Sequence, residues 1–314
     1  MKLSRYIEDI PFDKNSVVTI GTFDGVHLAH QIIIGRTVEL AGKLGGRSVV
    51  VTFEPHPREV LDKTKEMKLL TTLQERQELC RQLGVNWFVV IEFNKAFSQQ
   101  NFRDFYVKYL VNGIGISAIV EGYDHHWGKN REGNIEALVQ LGKEYGFNVV
   151  NIEQFKYNGI PVNSSMIRNE LINGSVAVSA EFLGRPYSLF GKVVPGDKRG
   201  RSLGYPTANV DLSSNRKVLP KDGIYFVQVL IEEEKYFGMA SIGIRPTFHT
   251  NGKRIFEVNI LDFNRDIYGY DLRVNFLQRL RDEQKYDSVE QLIQKMHEDE
   301  ILSRELQNKY QGKA

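Results

Sequence analysis

Two periodicities divide this chain and limit the folds open to it. Up to about residue 175, β-branched runs alternate with helical patterns; from Tyr187 onward only strand patterns appear until the C-terminus. Val- and Ile-rich runs at 17–21, 48–53, 87–92, 116–121 and 148–152 read as strands, with helices near 28–44, 72–83, 98–111 and 134–145 between them. Parallel strands need such crossovers, so the alternation predicts an α/β, Rossmann-like, mostly parallel sheet covered on both faces. Thr72 with Glu75 makes a capping box for the second helix, and Phe102, Phe105, Tyr106 and Tyr109 stripe the third at core-facing spacing.

A boundary falls at 175–186. Beyond it, strands are expected at 187–194, 207–212, 223–231, 234–242, 254–262 and 271–277, with a Glu-rich hairpin turn at 232–234. Six short strands with turns predict a small closed all-β barrel. A C-terminal helix follows, opened by Ser288 with Gln291 as a capping box; Val289, Leu292, Ile293 and Met296 form the face expected to meet the barrel. The expected domains are 1–180 and 181–314.

Composition narrows the function. A chain of 314 residues can bury two cores, and 41% hydrophobic with 25% charged residues is an ordinary globular balance. A net charge of +2 is too small for a general nucleic-acid binder. Cys80 is the only cysteine, which excludes an internal disulfide; its helical neighbours Leu79 and Leu83 make it a small buried apolar residue. No apolar run approaches the roughly 20 residues of a membrane span, and no signal-peptide core is present. The expectation is a cytoplasmic protein with no membrane or nucleic-acid partner.

Chemistry concentrates at the carboxyl ends of the expected parallel strands, where such sheets bind ligands. Residues 17–36 read as a strand, a tight turn and a helix, and the turn carries Gly21, Phe23, Asp24, Gly25, His27 and His30. Helix-start N–H groups beside imidazoles form a polyphosphate site. Taken alone, one His would be a cap or core residue; the glycines and the preceding strand shift the balance. After the second strand, Pro55 and Pro57 bracket His56, and Pro57 suits the first position of a helix. Residues 121–134 (EGYDHHWGKNREGN) look like a ligand-facing loop, and His125–His126 lacks partner ligands at metal-site spacing. In 163–171, Ser164 or Ser165 caps a helix with Arg168 in its first turn, a cation at a positive helix end that is unfavourable without an anion nearby.

A second concentration spans 184–210. Gly196, Gly200 and Gly204 alternate with Lys198, Arg199 and Arg201, a loop that brings backbone close to phosphate. From charge alone it would be a solvated loop. Pro206-Thr207-Ala208-Asn209 follows, and Thr207 and Asn209, two apart on an extended chain, point the same way. A hydroxyl and an amide oxygen suit Mg²⁺, with a buried polar pair as the ordinary alternative. Glu257 and Asn259 lie on one face of a strand whose other face carries Phe256, Val258 and Ile260.

These segments together resemble the bacterial bifunctional riboflavin kinase/FMN adenylyltransferases. The first matches the nucleotidyltransferase form G-x-F-D-G-x-H-x-G-H-Q, with Ala29 in place of Gly and Thr22 in place of the usual Asn. The E-P-H-P loop, the G-x-D-F-x-F-G segment (Asp124 and Gly128 kept, His125 and Trp127 for the aromatics) and S-S-T-x-I-R (Met166 for Thr) follow. G-x-x-R-G-R-x-L-G-x-P-T-A-N matches the flavokinase signature, and Ser241–Phe248, Asp266–Gly269 and Leu280–Glu283 continue the likeness over nearly the whole chain.

The resemblance implies a nucleotidyltransferase domain followed by a six-stranded flavokinase barrel. It implies FMN formation from riboflavin and ATP, then FAD and pyrophosphate from FMN and a second ATP. Glu257 is implied as the kinase base, Thr207 and Asn209 as Mg²⁺ ligands, and Gly191, Lys192, Gly196, Arg199, Gly200, Gly204, Pro206 and Arg281 as ATP or riboflavin contacts. His27 and His30 are implied as adenylyl-transfer residues, with Gly21, Phe23, Asp24, Gly25, His56, Asp124, Ser164, Ser165 and Arg168 binding ATP or FMN. Flavoproteins are the implied recipients of FAD. Three alternatives stay open: a kinase with an impaired adenylyltransferase domain, a nucleotidyltransferase for another phosphorylated alcohol, and an RNA-binding barrel, for which the basic loop offers only Tyr205.

Overall fold

Strands buried along their whole length need cover on both faces, and the first half of the chain supplies it. A computed structural model describes residues 1–62, 64, 67–123, 133–196, 200, 203–212, 216–244 and 254–312. The backbone divides into two compact units, Met1–Ser164 and Ser165–Ala314.

The first unit is built on six strands: β1 (Lys2–Ser4), β2 (Ser16–Ile20), β3 (Ser48–Glu54), β4 (Trp87–Glu92), β5 (Ile116–Gly122) and β6 (Asn148–Ile152). Their order is β1-β4-β3-β2-β5-β6, and every pairing is parallel. The helices are α1 (Leu28–Lys43), α2 (Pro57–Leu61), α3 (Leu73–Gln82), α4 (Lys95–Ser98), α5 (Phe102–Phe105) and α6 (Ile135–Tyr145). On β3, Val49, Val51 and Phe53 pack with α5 and α6 on one face, while Val50 packs with Ile34 of α1 and Cys80 of α3 on the other. The chain runs outward from β2 through β3 to β4, then returns to β5 on the other side of β2. This reversal is a topological switch, and it puts the ligand crevice at the carboxyl end of β2.

The five expected strands appear within a residue or so of their predicted limits. Edge strand β1 and a hairpin of β7 (Lys156–Tyr157) and β8 (Ile160–Pro161) were not expected, being too short to show a period. The helix expected at 98–111 is broken: α4 and α5 precede a π-helix at Tyr106–Ile114, closed where the Gly115 N–H donates to the Leu110 carbonyl at 2.8 Å. Its aromatic stripe is core, with Phe102, Phe105 and Tyr106 buried. The Thr72–Glu75 capping box is complete.

In the second unit, α7 (Ser164–Asn173) continues from the first, α8 (Val176–Leu183) follows, and six strands close a barrel. They are β9 (Tyr187–Val194), β10 (Ala208–Asp211), β11 (Gly223–Ile231), β12 (Glu234–Ile244), β13 (Arg254–Ile260) and β14 (Asp271–Arg281). The order β10-β13-β12-β11-β14-β9 returns to β10, antiparallel throughout, so the strand edges are paired. Tyr187, Tyr225, Phe256 and Phe276 fill part of its interior.

The C-terminal helix α9 (Val289–Gln311) lies on the outside of the barrel, where Leu306 packs with Phe226 and Leu277. Two expectations for it need correction. The Ser288 hydroxyl accepts from the Gln291 N–H, but the Gln291 side chain accepts from Asp287, not from Ser288, so the box is not reciprocal. The covered face runs through Leu292, Met296, Asp299, Ser303 and Leu306, leaving Val289 and Ile293 exposed. An ion pair between Arg281 and Asp299 at 2.7 Å sets this rotation, which the apolar pattern could not show. Among the described residues no helix is long and apolar enough to cross a membrane.

Candidate active sites

The turn after β2 is held in conformations that few side chains adopt unaided. Phe23 (φ 47°), Gly25 (φ 88°) and Val26 (φ 39°) all have positive φ, costly for an aromatic and a β-branched residue. Asp24 supplies the restraint. Its buried carboxylate accepts from the Leu70 N–H at 3.0 Å, the Thr71 N–H at 2.9 Å and the Thr71 hydroxyl at 3.1 Å. The Gly25 N–H donates back to the Thr71 hydroxyl at 2.8 Å, and the Ser164 hydroxyl donates to the Asp24 carbonyl at 2.9 Å. Asp24 therefore anchors the turn on the segment that opens α3.

The turn delivers His27 to the N-cap of α1 and His30 to its first turn. Their rings stack, with centroids 3.6 Å apart and planes 17° from parallel, while Phe23 meets His30 edge-on at 5.3 Å. The His27 Nδ1 accepts from the His30 N–H at 3.4 Å, which fixes the ring at the head of the helix. The His30 Nδ1 is buried without a hydrogen-bond partner. Burial, and next the neighbouring His27, hold His30 well below its ordinary pKa. A neutral imidazole such as that of His30, at a helix N-terminus, can gain charge when an anion arrives.

His56 is buried and caps α2, its Nδ1 accepting from the Arg58 N–H at 3.2 Å. A residue that the sequence did not single out joins its loop to the histidine turn. Arg76 of α3 is 1% exposed, and its guanidinium reaches both the Thr22 carbonyl and the Glu54 carboxylate. The available signal was its position on the apolar stripe Leu73, Arg76, Cys80, where a cation needs buried partners. Ser165 and Arg168 lie further along α7, in the second unit. Asp124, with the rest of 124–132, falls outside the described residues, as does Arg199.

The second site forms where β10 meets β13. Asn209 pairs with Glu257 across the two strands, and directly opposed residues share a face. Thr207, two residues before Asn209, joins them, its hydroxyl 3.5 Å from the Glu257 carboxylate. Asn259 donates from its amide to the Pro206 carbonyl at 2.8 Å, fixing the start of the Pro-Thr-Ala-Asn segment. Phe256 and Val258 are buried in the barrel, so Glu257 is on its outer face.

Glycines let the preceding loop press on this segment. A Cβ on Gly196 would fall 2.0 Å from the Asn209 amide nitrogen, and one on Gly200 would fall 2.3 Å from the Tyr205 carbonyl oxygen. The Tyr205 N–H donates to the Gly200 carbonyl at 2.8 Å, and Gly204, at φ 85°, turns the chain between them. In β9, a Cβ on Gly191 would meet the Asp211 carbonyl oxygen at 2.4 Å. Lys192 is exposed and donates to the Gly269 carbonyl at 3.1 Å. Arg281 is drawn elsewhere: its Nε and Nη2 grip Asp299 of α9 at 2.7–3.0 Å, and its Nη1 donates to the Asp282 carbonyl. Tyr205 hydrogen-bonds Glu300 of the same helix, and burial with that carboxylate raises its pKa.

The hydroxyl and amide oxygens of Thr207 and Asn209 are hard donors that fit Mg²⁺, with the Glu257 carboxylate beside them and Gly196 leaving room against Asn209. Among the described residues no cluster of three His, Cys, Asp or Glu could hold a metal.

Residues 9–166 match the FAD synthetase family model, and residues 183–307 the riboflavin kinase model. Curated relatives named bifunctional riboflavin kinase/FMN adenylyltransferase include one from Listeria monocytogenes, 37% identical over 92% of this chain and 91% of its own. One from Pseudomonas fluorescens is 37% identical over 98% of each chain, and one from Escherichia coli K12 is 33% identical over 97% of each. A solved structure described as a macrolide-efflux protein from Streptococcus pneumoniae superposes with a TM-score of 0.88 at 33% identity, covering 96% of this chain and 98% of its own.

Proposed function

Because the chain belongs to the bifunctional riboflavin kinase/FMN adenylyltransferase family, we propose a distinct catalytic role for each of its two constellations. The enzyme phosphorylates riboflavin to FMN with ATP and then adenylylates FMN with a second ATP, releasing FAD and pyrophosphate. We assign adenylyl transfer to residues 1–180 and the kinase to residues 181–314. What supports the division is that the two family matches, at residues 9–166 and 183–307, fall on either side of it.

In the kinase, the Glu257 carboxylate takes the proton of the riboflavin 5′-hydroxyl as that oxygen attacks the γ-phosphate. Thr207 and Asn209 hold Mg²⁺, which neutralises phosphate charge when bound. ATP sits under the loop that carries Gly196, Gly200 and Gly204, to which Arg199 adds charge. Such chemistry is mostly positioning and charge neutralisation, so the enzyme needs no protein nucleophile. The observation that carries this reading is the convergence of Thr207, Asn209 and Glu257 from two strands. Arg281, implied as an ATP or riboflavin contact, also forms the ion pair with Asp299 that seats α9.

In the adenylyltransferase, the phosphate oxygen of FMN attacks the α-phosphorus of ATP, and the bond from that phosphorus to the α,β-bridging oxygen breaks, so that pyrophosphate leaves. His27 and His30 stabilise the charge that develops on the phosphates, and Arg168 with Ser164 and Ser165 grips the departing pyrophosphate. Gly21, Phe23, Gly25, His56 and Asp124 line the nucleotide and flavin, while Asp24 sets the turn. The protein works in the cytoplasm and passes FAD to flavoproteins, with no membrane or nucleic-acid partner.

Product analysis with riboflavin, ATP and Mg²⁺ tests the assignment. FMN followed by FAD is expected from the intact chain. His30→Ala abolishes FAD but spares FMN; Glu257→Ala abolishes FMN but still converts supplied FMN to FAD. Loss of both activities from either substitution in a folded chain sinks the two-site assignment.

A further inference from the structure

The loop with the two stacked histidines and the loop with His56 come from different strands, yet one buried cation touches both. The Arg76 Nη1 donates to the Thr22 carbonyl at 2.8 Å, the Thr52 hydroxyl at 3.0 Å and the Phe53 carbonyl at 3.4 Å. Its Nη2 donates to the Glu54 carboxylate at 2.7 Å. The Thr52 hydroxyl also donates to the Thr22 carbonyl, at 3.2 Å. Thr22 belongs to the histidine turn, while Thr52, Phe53 and Glu54 end β3 and lead into the His56 loop.

The segment that leads into the same helix grips the turn a second time. Leu70 and Thr71, just ahead of the Thr72 N-cap, donate to the Asp24 carboxylate. The segment just ahead of α3 thus fixes Asp24, and Arg76, in the first turns of the helix, fixes Thr22. From these contacts we propose that Arg76 is a positioning residue for adenylyl transfer, holding the histidine turn and the His56 loop in register. The inference rests on assigning adenylyl transfer to the His27–His30 site.

A planar guanidinium with several fixed N–H directions can hold acceptors on two segments at once; a Lys ammonium cannot reproduce that fork. The positive-φ backbone at Phe23 and Val26 is strained despite the local bond from the Val26 N–H to the Phe23 carbonyl at 3.0 Å, so its shape leans on such external contacts as well. A small displacement of His27 and His30 relative to the bound phosphates would lower the rate without removing a group that touches substrate.

The test compares Arg76→Met, Arg76→Lys and His30→Ala in the full chain, with riboflavin phosphorylation as an internal control. Arg76→Met should lower kcat for FAD formation about 100-fold, move KM for FMN and ATP far less, and leave FMN formation unchanged. Arg76→Lys should recover only part of the loss. A kcat for Arg76→Met within about threefold of the parent chain overturns the proposal. So does a loss of FAD formation that merely tracks the unfolded fraction, measured by circular dichroism at the assay temperature. If His30→Ala still makes FAD, the site assignment itself fails, whatever Arg76→Met does.

Discussion

His27 and His30 lie face to face, ring centroids 3.6 Å apart, and the buried His30 resists a proton. An unfolded chain protonates His30 near its ordinary value of 6.5, while the folded chain holds its pKa well below that. Where only the unfolded state takes up the proton, stability rises with pH. This contribution is fully present above pH 6.5 and is lost as pH falls beneath it toward the folded pKa. Urea midpoints measured from about pH 7.5 down to about 5 should therefore fall more steeply in the parent chain than in His30→Gln. Equal slopes would remove His30 from the acid sensitivity.

Asp24 organises its turn through donors from 46 and 47 residues away. Asp24→Ala strands buried N–H and hydroxyl groups and should destabilise the first unit by about 3 kcal/mol, with Asp24→Asn costing about half as much. Urea unfolding measures the loss. Kinase activity below the unfolding range should be unchanged, because Asp24 and its donors Leu70 and Thr71 belong to the first unit.

Gly196 leaves space that Asn209 occupies. Gly196→Ala places a methyl 2.0 Å from the Asn209 amide nitrogen, so the side chain must move away from Thr207 and Glu257. Riboflavin phosphorylation should fall at least about tenfold, with FAD formation from supplied FMN unaffected. Separate assays of the two half-reactions decide it.

Arg281 and Asp299 are 14% and 8% exposed, so neither charge tolerates losing the other. Arg281→Met or Asp299→Leu alone should cost about 3–5 kcal/mol, while the double substitution should recover most of that loss. A double-mutant cycle in urea measures the coupling. Additive single effects would show that the pair is not what seats α9.

Much of the fold is legible along the chain because its signals are local. Strands β2 to β6 announce themselves by β-branched runs, α3 by its Thr72–Glu75 box, and the barrel by the change of period at Tyr187. The edge strand β1 and the π-helix after Phe105 are not legible. Three residues carry no period, and a helical stripe reads alike whether its hydrogen bonds close over four residues or five.

The candidate sites divide in the same way. Short spacings expose His27 with His30 and Thr207 with Asn209, since side-chain direction repeats over a few residues in a helix or strand. Only the tertiary structure brings Glu257 beside Thr207, a separation of 50 residues that depends on the register of β10 against β13. It alone turns Asp24 and Arg281 into anchors and makes Arg76 a bridge between two loops. The physical reason is common to all four. A sequence shows which side chains can donate, accept or carry charge, but a buried polar group is satisfied by whatever the fold sets against it.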